Sequence, residues 1–109
     1  MQESNLRELF LWLIRLRRRY RVTGASMFPL MEAGDEVLVD PRAYRQQQPQ
    51  IGDVVVAQHP VQANLQIIKR VAEVMGDGRF HLKGDNTAES SDSLVPPNLI
   101  LGRVTSKFG

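Results

Sequence analysis

Cysteine does not occur in the 109 residues. Disulfides, thiolate catalysis and cysteine-based zinc or iron–sulfur sites are therefore excluded. A reducing, cytoplasmic setting fits this composition. Long apolar runs are missing as well. The run in the N-terminal arm, Leu9 to Ile14, falls far short of the roughly 20 residues that a membrane-spanning helix needs. Nor does the arm have the order of a cleavable secretion leader: its positive charge follows the apolar stretch, and no small-residue cleavage site comes after it. Internal repeats and an interdomain linker are also lacking, and the length implies one domain with one modest core.

Charge is distributed unevenly. Residues 1–21 hold six arginines against two glutamates, whereas the remainder holds eight basic and ten acidic groups. The basic character thus belongs to the arm, and the body is slightly acidic. Within the arm, Leu6, Leu9, Phe10, Leu13 and Ile14 follow helical spacing. This predicts a short amphipathic helix over residues 1–20, ahead of a body spanning 21–109. Two placements are open for it. It packs on the body, or it rests by Trp12 and its arginines, through residues 5–21, on an anionic membrane surface. The second makes the chain peripheral at the inner membrane face. Nucleic acid is set aside as a partner, because one arginine cluster is weak evidence for it.

After residue 21 the spacing changes to short β runs. Strands are expected at Glu36–Asp40, Asp53–Gln58, Leu65–Val74, Arg79–Lys83 and Leu99–Phe108, with a hairpin turn at Asp77-Gly78. Residues 41–50 read as a surface loop and 84–98 as turn-rich. The body is therefore mainly β.

Three segments could carry chemistry: Gly24 to Pro29, Ile67 to Val71, and Gly84 to Ser93. Each alone has a plain structural explanation as a turn, a solvated strand or a polar loop. Lys69 is less ordinary. Strand alternation puts it with Leu65, Ile67 and Val71, and puts Arg70 on the more polar face. A lysine buried there is desolvated, which lowers its pKa from about 10.4. A lysine brought to roughly 7–8 can serve as a general base, and a serine hydroxyl needs one to be a useful nucleophile. Neither His59 nor His81 has sequence neighbours that suggest a Ser-His-Asp triad. The acids Glu32, Asp35, Glu36 and Asp40 match no cation-loop spacing, so no metal site is assigned.

Together the three segments resemble the boxes of bacterial signal peptidase I. The first is Ser26-Met27-Phe28-Pro29 and the second is Lys69-Arg70-Val71. The third is Gly84-Asp85-Asn86-Thr87-Ala88-Glu89-Ser90-Ser91-Asp92-Ser93, with Gly52-Asp53-Val54-Val55 between the first two. The resemblance covers about residues 20–108. It implies the β-ribbon fold shared by signal peptidases and LexA-type proteins, and a serine endopeptidase that needs no cofactor or metal. It assigns Ser26 as nucleophile and Lys69 as general base. The backbone N–H of Ser26 becomes the oxyanion hole, helped at Gly24, which has no side chain, by its backbone or by water. Ser90 orients the lysine, and Asp92 supports the third box. Val22, Met27 and Ile68 line pockets for small apolar side chains of a precursor protein bound as an extended strand.

Departures from the family pattern narrow the choice. Leu94 stands where the family's third box has an arginine, and Ala72-Glu73-Val74-Met75 stands where Gly-x-Pro-Gly-Asp is usual. With no room for a large second domain and no spanning anchor, the chain is similar to the nickel-type superoxide dismutase maturation proteases. That similarity implies removal of a leader from the dismutase precursor. The alternatives are cleavage of secretory signal peptides at the membrane surface, a LexA-type self-cleaving regulator, and a β domain that binds peptides without cutting them. The regulator is disfavoured by the lack of an upstream helix-turn-helix and of an Ala-Gly or Cys-Gly cleavage site.

Overall fold

After residue 35, short apolar stretches rich in valine, separated by Gly- and Pro-containing turns, form one curled sheet. The computed structural model describes all residues except Met1, Ser4, Ile14, Glu89, Ser90 and Gly109, and only the backbone of Gln2 and Glu3. In chain order the elements are β1 (Gln2–Glu3), α1 (Leu6–Leu13), β2 (Arg18–Arg21), β3 (Glu36–Asp40), β4 (Val54–Gln58), β5 (Gln66–Val74), β6 (Phe80–Lys83), β7 (Ser93–Val95) and β8 (Ile100–Phe108), with a 3-10 turn at Pro97–Leu99. The strands lie side by side in the order β2-β3-β8-β4-β5-β6-β7. All these neighbours are antiparallel, and β1 adds a parallel pairing to the end of β8.

β4 explains how a short chain fills two cores. Its side chains alternate between faces. Val54 and Val56 pack with Val22, Met27, Met31, Val37, Val39 and Val104. Val55 and Ala57 pack on the opposite side with Val71, Phe80, Leu82 and Val95. The register of β4 on β5 sets Val56 opposite Ile68 and Val55 opposite Lys69. β3 and β8 approach very closely at Gly102: an added Cβ would lie 2.6 Å from the Asp40 carbonyl oxygen. The loop after β3 is pinned by the Tyr44 hydroxyl, which donates to Asp53 Oδ2 at 2.7 Å.

The five long strands form where periodicity placed them. The arm is different from the expected helix over residues 1–20. Asn5 caps the helix start through Oδ1, which accepts the Glu8 N–H at 3.0 Å. The helix closes after two turns: Arg15 N–H donates to the Trp12 carbonyl, Leu16 N–H donates to the Leu11 carbonyl, and Arg15 takes a left-handed φ of 66°. This is a Schellman-type ending, but with arginine where glycine is usual. Residues 18–21 are then free to form β2 against β3. The stretch 84–98, read as turn-rich, also contains β7. That strand is specified by long-range pairing with β6, Phe80 opposite Val95 and Leu82 opposite Ser93, and not by local pattern.

The helix also faces the opposite way from an ordinary amphipathic helix. Its buried residue is Glu8, whose carboxylate accepts hydrogen bonds from the hydroxyls of Thr105 and Ser106 and lies 3.5 Å from Arg17 Nε. Leu6, Phe10 and Leu13 are 84%, 60% and 68% exposed. The apolar stripe therefore points to solvent.

Candidate active site

The loop after β2 begins at Val22, which is buried, and passes through Gly24 at φ 82°. A positive φ is a conformation that glycine adopts without a Cβ clash, so the residue type suits this turn. The turn delivers Ser26, half-buried, and Met27, fully buried in the first core. On the other wall, β5 carries Ile68 into the first core and Lys69 to the opposite face with Val71. Val22, Ser26, Met27, Ile68 and Lys69 line one cavity of about 380 Å³. Tyr20, Val56, Leu65 and Ile67 complete its apolar walls. These four were not among the expected site residues; Val56, Leu65 and Ile67 lie in strands that the sequence did mark, whereas Tyr20 fell in the expected helix and lies instead in β2. A larger depression of about 540 Å³, among Gly52, Asp53, Arg70 and Arg103, contains neither Ser26 nor Lys69.

Lys69 is 5% exposed. Its Nζ donates to the Ser91 carbonyl at 2.7 Å. Burial pushes the ammonium pKa below its ordinary value, and the charge of Asp92 acts in the opposite direction. Asp92 thus lies within electrostatic reach of the lysine, although it does not line the cavity. Ser90, expected to orient Lys69, lies outside the described residues.

The third box acts as a clamp on the other two. Asp85 takes two hydrogen bonds from the Arg70 guanidinium, both at 2.9 Å, and so ties the box to the neighbour of Lys69. Its backbone N–H points at Met27 Sδ at 3.4 Å. Asn86 N–H donates to the Ser26 carbonyl at 2.8 Å, and its side-chain amide donates to the Ala25 carbonyl at 2.9 Å. Sequence reading gave Arg70, Asp85 and Asn86 no roles of their own. Their membership of the boxes was the signal for them.

β5 also has an exposed edge. β4 pairs along residues 66–70, whereas β6 pairs only with residues from Arg70 onward. No described strand covers the second edge of Gln66–Lys69, which borders the cavity.

Comparison with protein families matches residues 8–78 to the signal peptidase family, peptidase S26. The chain belongs to that family. Among its curated relatives, the mitochondrial ATP-independent inner membrane protease subunit 1b of Arabidopsis thaliana is 34% identical over 107 residues. That match covers 74% of this chain and 63% of the plant protein. Signal peptidase I of Pseudomonas aeruginosa is 32% identical over 105 residues, covering 79% of this chain and 36% of the relative. Signal peptidase I of Aquifex aeolicus is 32% identical over 62 residues, covering 57% and 24%. The chain thus spans less than two-thirds of the length of each. Among the described residues, no helix of this signal peptidase homologue is long and apolar enough to cross a membrane.

Proposed function

We propose that the chain is a serine endopeptidase in which Ser26 and Lys69 form the catalytic dyad. The observation that carries this reading is the placement of a buried, desolvated lysine and a serine loop on the walls of one cavity. Neutral Lys69 accepts the proton of Ser26 Oγ as that oxygen bonds to the scissile carbonyl carbon. The backbone N–H groups of Ser26 and Gly24 stabilise the oxyanion. The lysine then returns its proton to the leaving amine, and water attacks the acyl-enzyme by the same route in reverse. Ser90 orients the lysine and Asp92 supports the third box. The substrate lies extended along the open edge of Gln66–Lys69. Its small apolar side chains enter the space bounded by Val22, Met27 and Ile68. No step calls for a metal or cofactor.

The substrate is a precursor protein that loses an N-terminal leader, and the nickel superoxide dismutase precursor is the proposed one. The short connection between β5 and β6, residues 75–79, supports this, since it places no inserted domain beside the site. The test is co-expression with that precursor and intact-mass analysis. Loss of the leader with wild type and its retention with Ser26→Ala establishes protease and substrate together. An intact precursor with both overturns the substrate.

A second substrate reading, secretory signal peptides at the membrane surface, is favoured by the outward apolar stripe of α1. Leu6, Phe10 and Leu13 are exposed beside Arg7, Arg15 and Arg18, which suits an anionic bilayer. Trp12 contributes less than its residue type suggests, because the Arg19 guanidinium sits over its ring at 5.3 Å. Flotation with phosphatidylglycerol vesicles, lost in Phe10→Ser/Leu13→Ser, supports the contact. Equal recovery with and without vesicles removes it.

A further inference from the structure

His81 was set aside in the sequence for want of a triad neighbourhood, yet the fold gives it an aspartate. Its ring nitrogen Nε2 lies 2.9 Å from Asp92 Oδ2. An ionised carboxylate only accepts hydrogen bonds, so Nε2 carries the proton and donates. The other ring nitrogen, Nδ1, lies 3.8 Å from Glu73 Oε1 on β5. Two further charged residues, Arg79 and Lys83, stand two positions before and after it in sequence, and both are exposed. Across the strand pair on β7 stands Leu94. His81 is therefore held between two carboxylates at the end of the segment that meets Lys69.

The connection to Lys69 has two parts. Asp92 is directly bonded in sequence to Ser91, whose carbonyl oxygen receives the Lys69 Nζ hydrogen bond at 2.7 Å. The Asp92 charge also acts on the ammonium through space. Both depend on where residues 91 and 92 sit. Asp92 is otherwise about half exposed, and an unanchored exposed side chain samples several rotamers. The imidazole, on a strand paired on both sides, is the rigid partner.

We infer that His81 is a positioning residue for the lysine base: by holding Asp92 it fixes the Ser91 carbonyl and the carboxylate against Lys69. The inference rests on the proposed role of Lys69, and its test does not depend on turnover. The full chain contains three lysines, so side-chain titration with 13C-labelled lysine resolves Lys69 once Lys69→Met identifies its signal. Wild type, His81→Leu, His81→Gln, Asp92→Asn and the His81→Leu/Asp92→Asn double variant are compared. His81→Leu frees Asp92 and weakens its pull on the proton. The Lys69 midpoint then moves to lower pH, in the same direction as in Asp92→Asn. The double variant moves no further than Asp92→Asn alone, the non-additivity expected of residues acting through one contact. His81→Gln, which retains an N–H donor, recovers most of the wild-type midpoint. A Lys69 midpoint unchanged in a folded His81→Leu overturns the inference, as does an additive double variant. The dyad is judged separately, by whether Lys69→Ala abolishes cleavage.

Discussion

Asn86 holds the carbonyl oxygens of Ala25 and Ser26 at once, one with its side-chain amide at 2.9 Å and the other with its backbone N–H at 2.8 Å. The loop that carries the proposed nucleophile is therefore shaped by a residue sixty positions away. Asn86→Ala removes the side-chain bond and leaves the backbone one. Catalysis tolerates little misplacement of the attacking oxygen, and an error near 1 Å can cost on the order of 100-fold. The expected result is a fall in kcat approaching that size with KM little changed. A variant with wild-type kcat shows that the loop holds its shape without this clamp.

Lys69 sets the pH dependence of the proposed reaction. Its pKa is lowered by burial and partly restored by Asp92. Activity requires the neutral amine, so kcat/KM rises with pH through the Lys69 midpoint, below the ordinary lysine range. Asp92→Asn takes away the opposing influence and moves the rising limb to lower pH. Lys69→Arg is inactive throughout, since arginine stays protonated. A limb that moves upward in Asp92→Asn contradicts the assignment.

The same lysine affects stability, with a definite sign. Its folded pKa is below its unfolded pKa, so between the two the unfolded chain binds more protons and stability rises with pH. Lys69→Met does not titrate. It should therefore be more stable than wild type below the folded midpoint, with the margin shrinking as pH rises toward the unfolded value. Urea melts across that range check this, and a constant margin rules it out.

Gly102 permits the close approach of β3 and β8. In Gly102→Ala the new methyl group would lie 2.6 Å from the Asp40 carbonyl oxygen and 2.7 Å from Val39 Cγ1. Overpacking of this kind costs about 1–3 kcal/mol. A lowered thermal midpoint is expected, and an unchanged one would mean that the strands separate easily.

Glu8 is 4% exposed and receives the hydroxyls of Thr105 and Ser106. Glu8→Ala leaves those groups without this acceptor, at about 1–3 kcal/mol, and loosens α1 from the sheet. Faster limited proteolysis at the arginines following α1 is the accompanying sign. Proteolysis at the wild-type rate would show that β1 and β2 anchor the arm unaided.

Much of the architecture could be read in advance because it rests on short-range regularities. The valine run at Val54–Val56 and the alternation through Lys69 need only neighbouring residues to declare a strand and its faces. The boxes marked the two residues proposed to react. The failures were of another kind. The end of α1 at Leu13 is closed by Arg15 in a left-handed conformation, and arginine carries no sequence signal for that. β7 is three residues long and exists through its pairing with β6.

The sequence by itself determined the five strands that rest on local periodicity, the absence of thiol chemistry, the order of the three boxes and the apolar face on which Lys69 lies. Tertiary structure alone decided which partners those residues meet. Asn86 reaches Ala25 across 61 positions and Ser106 reaches Glu8 across 98. It also decided that α1 turns its carboxylate inward and its leucines outward, and that His81 finds Asp92. Hydrophobic periodicity reports which face of a segment avoids water. The choice of a polar partner depends on sheet order, register and curl, and these exist only after the whole chain has closed.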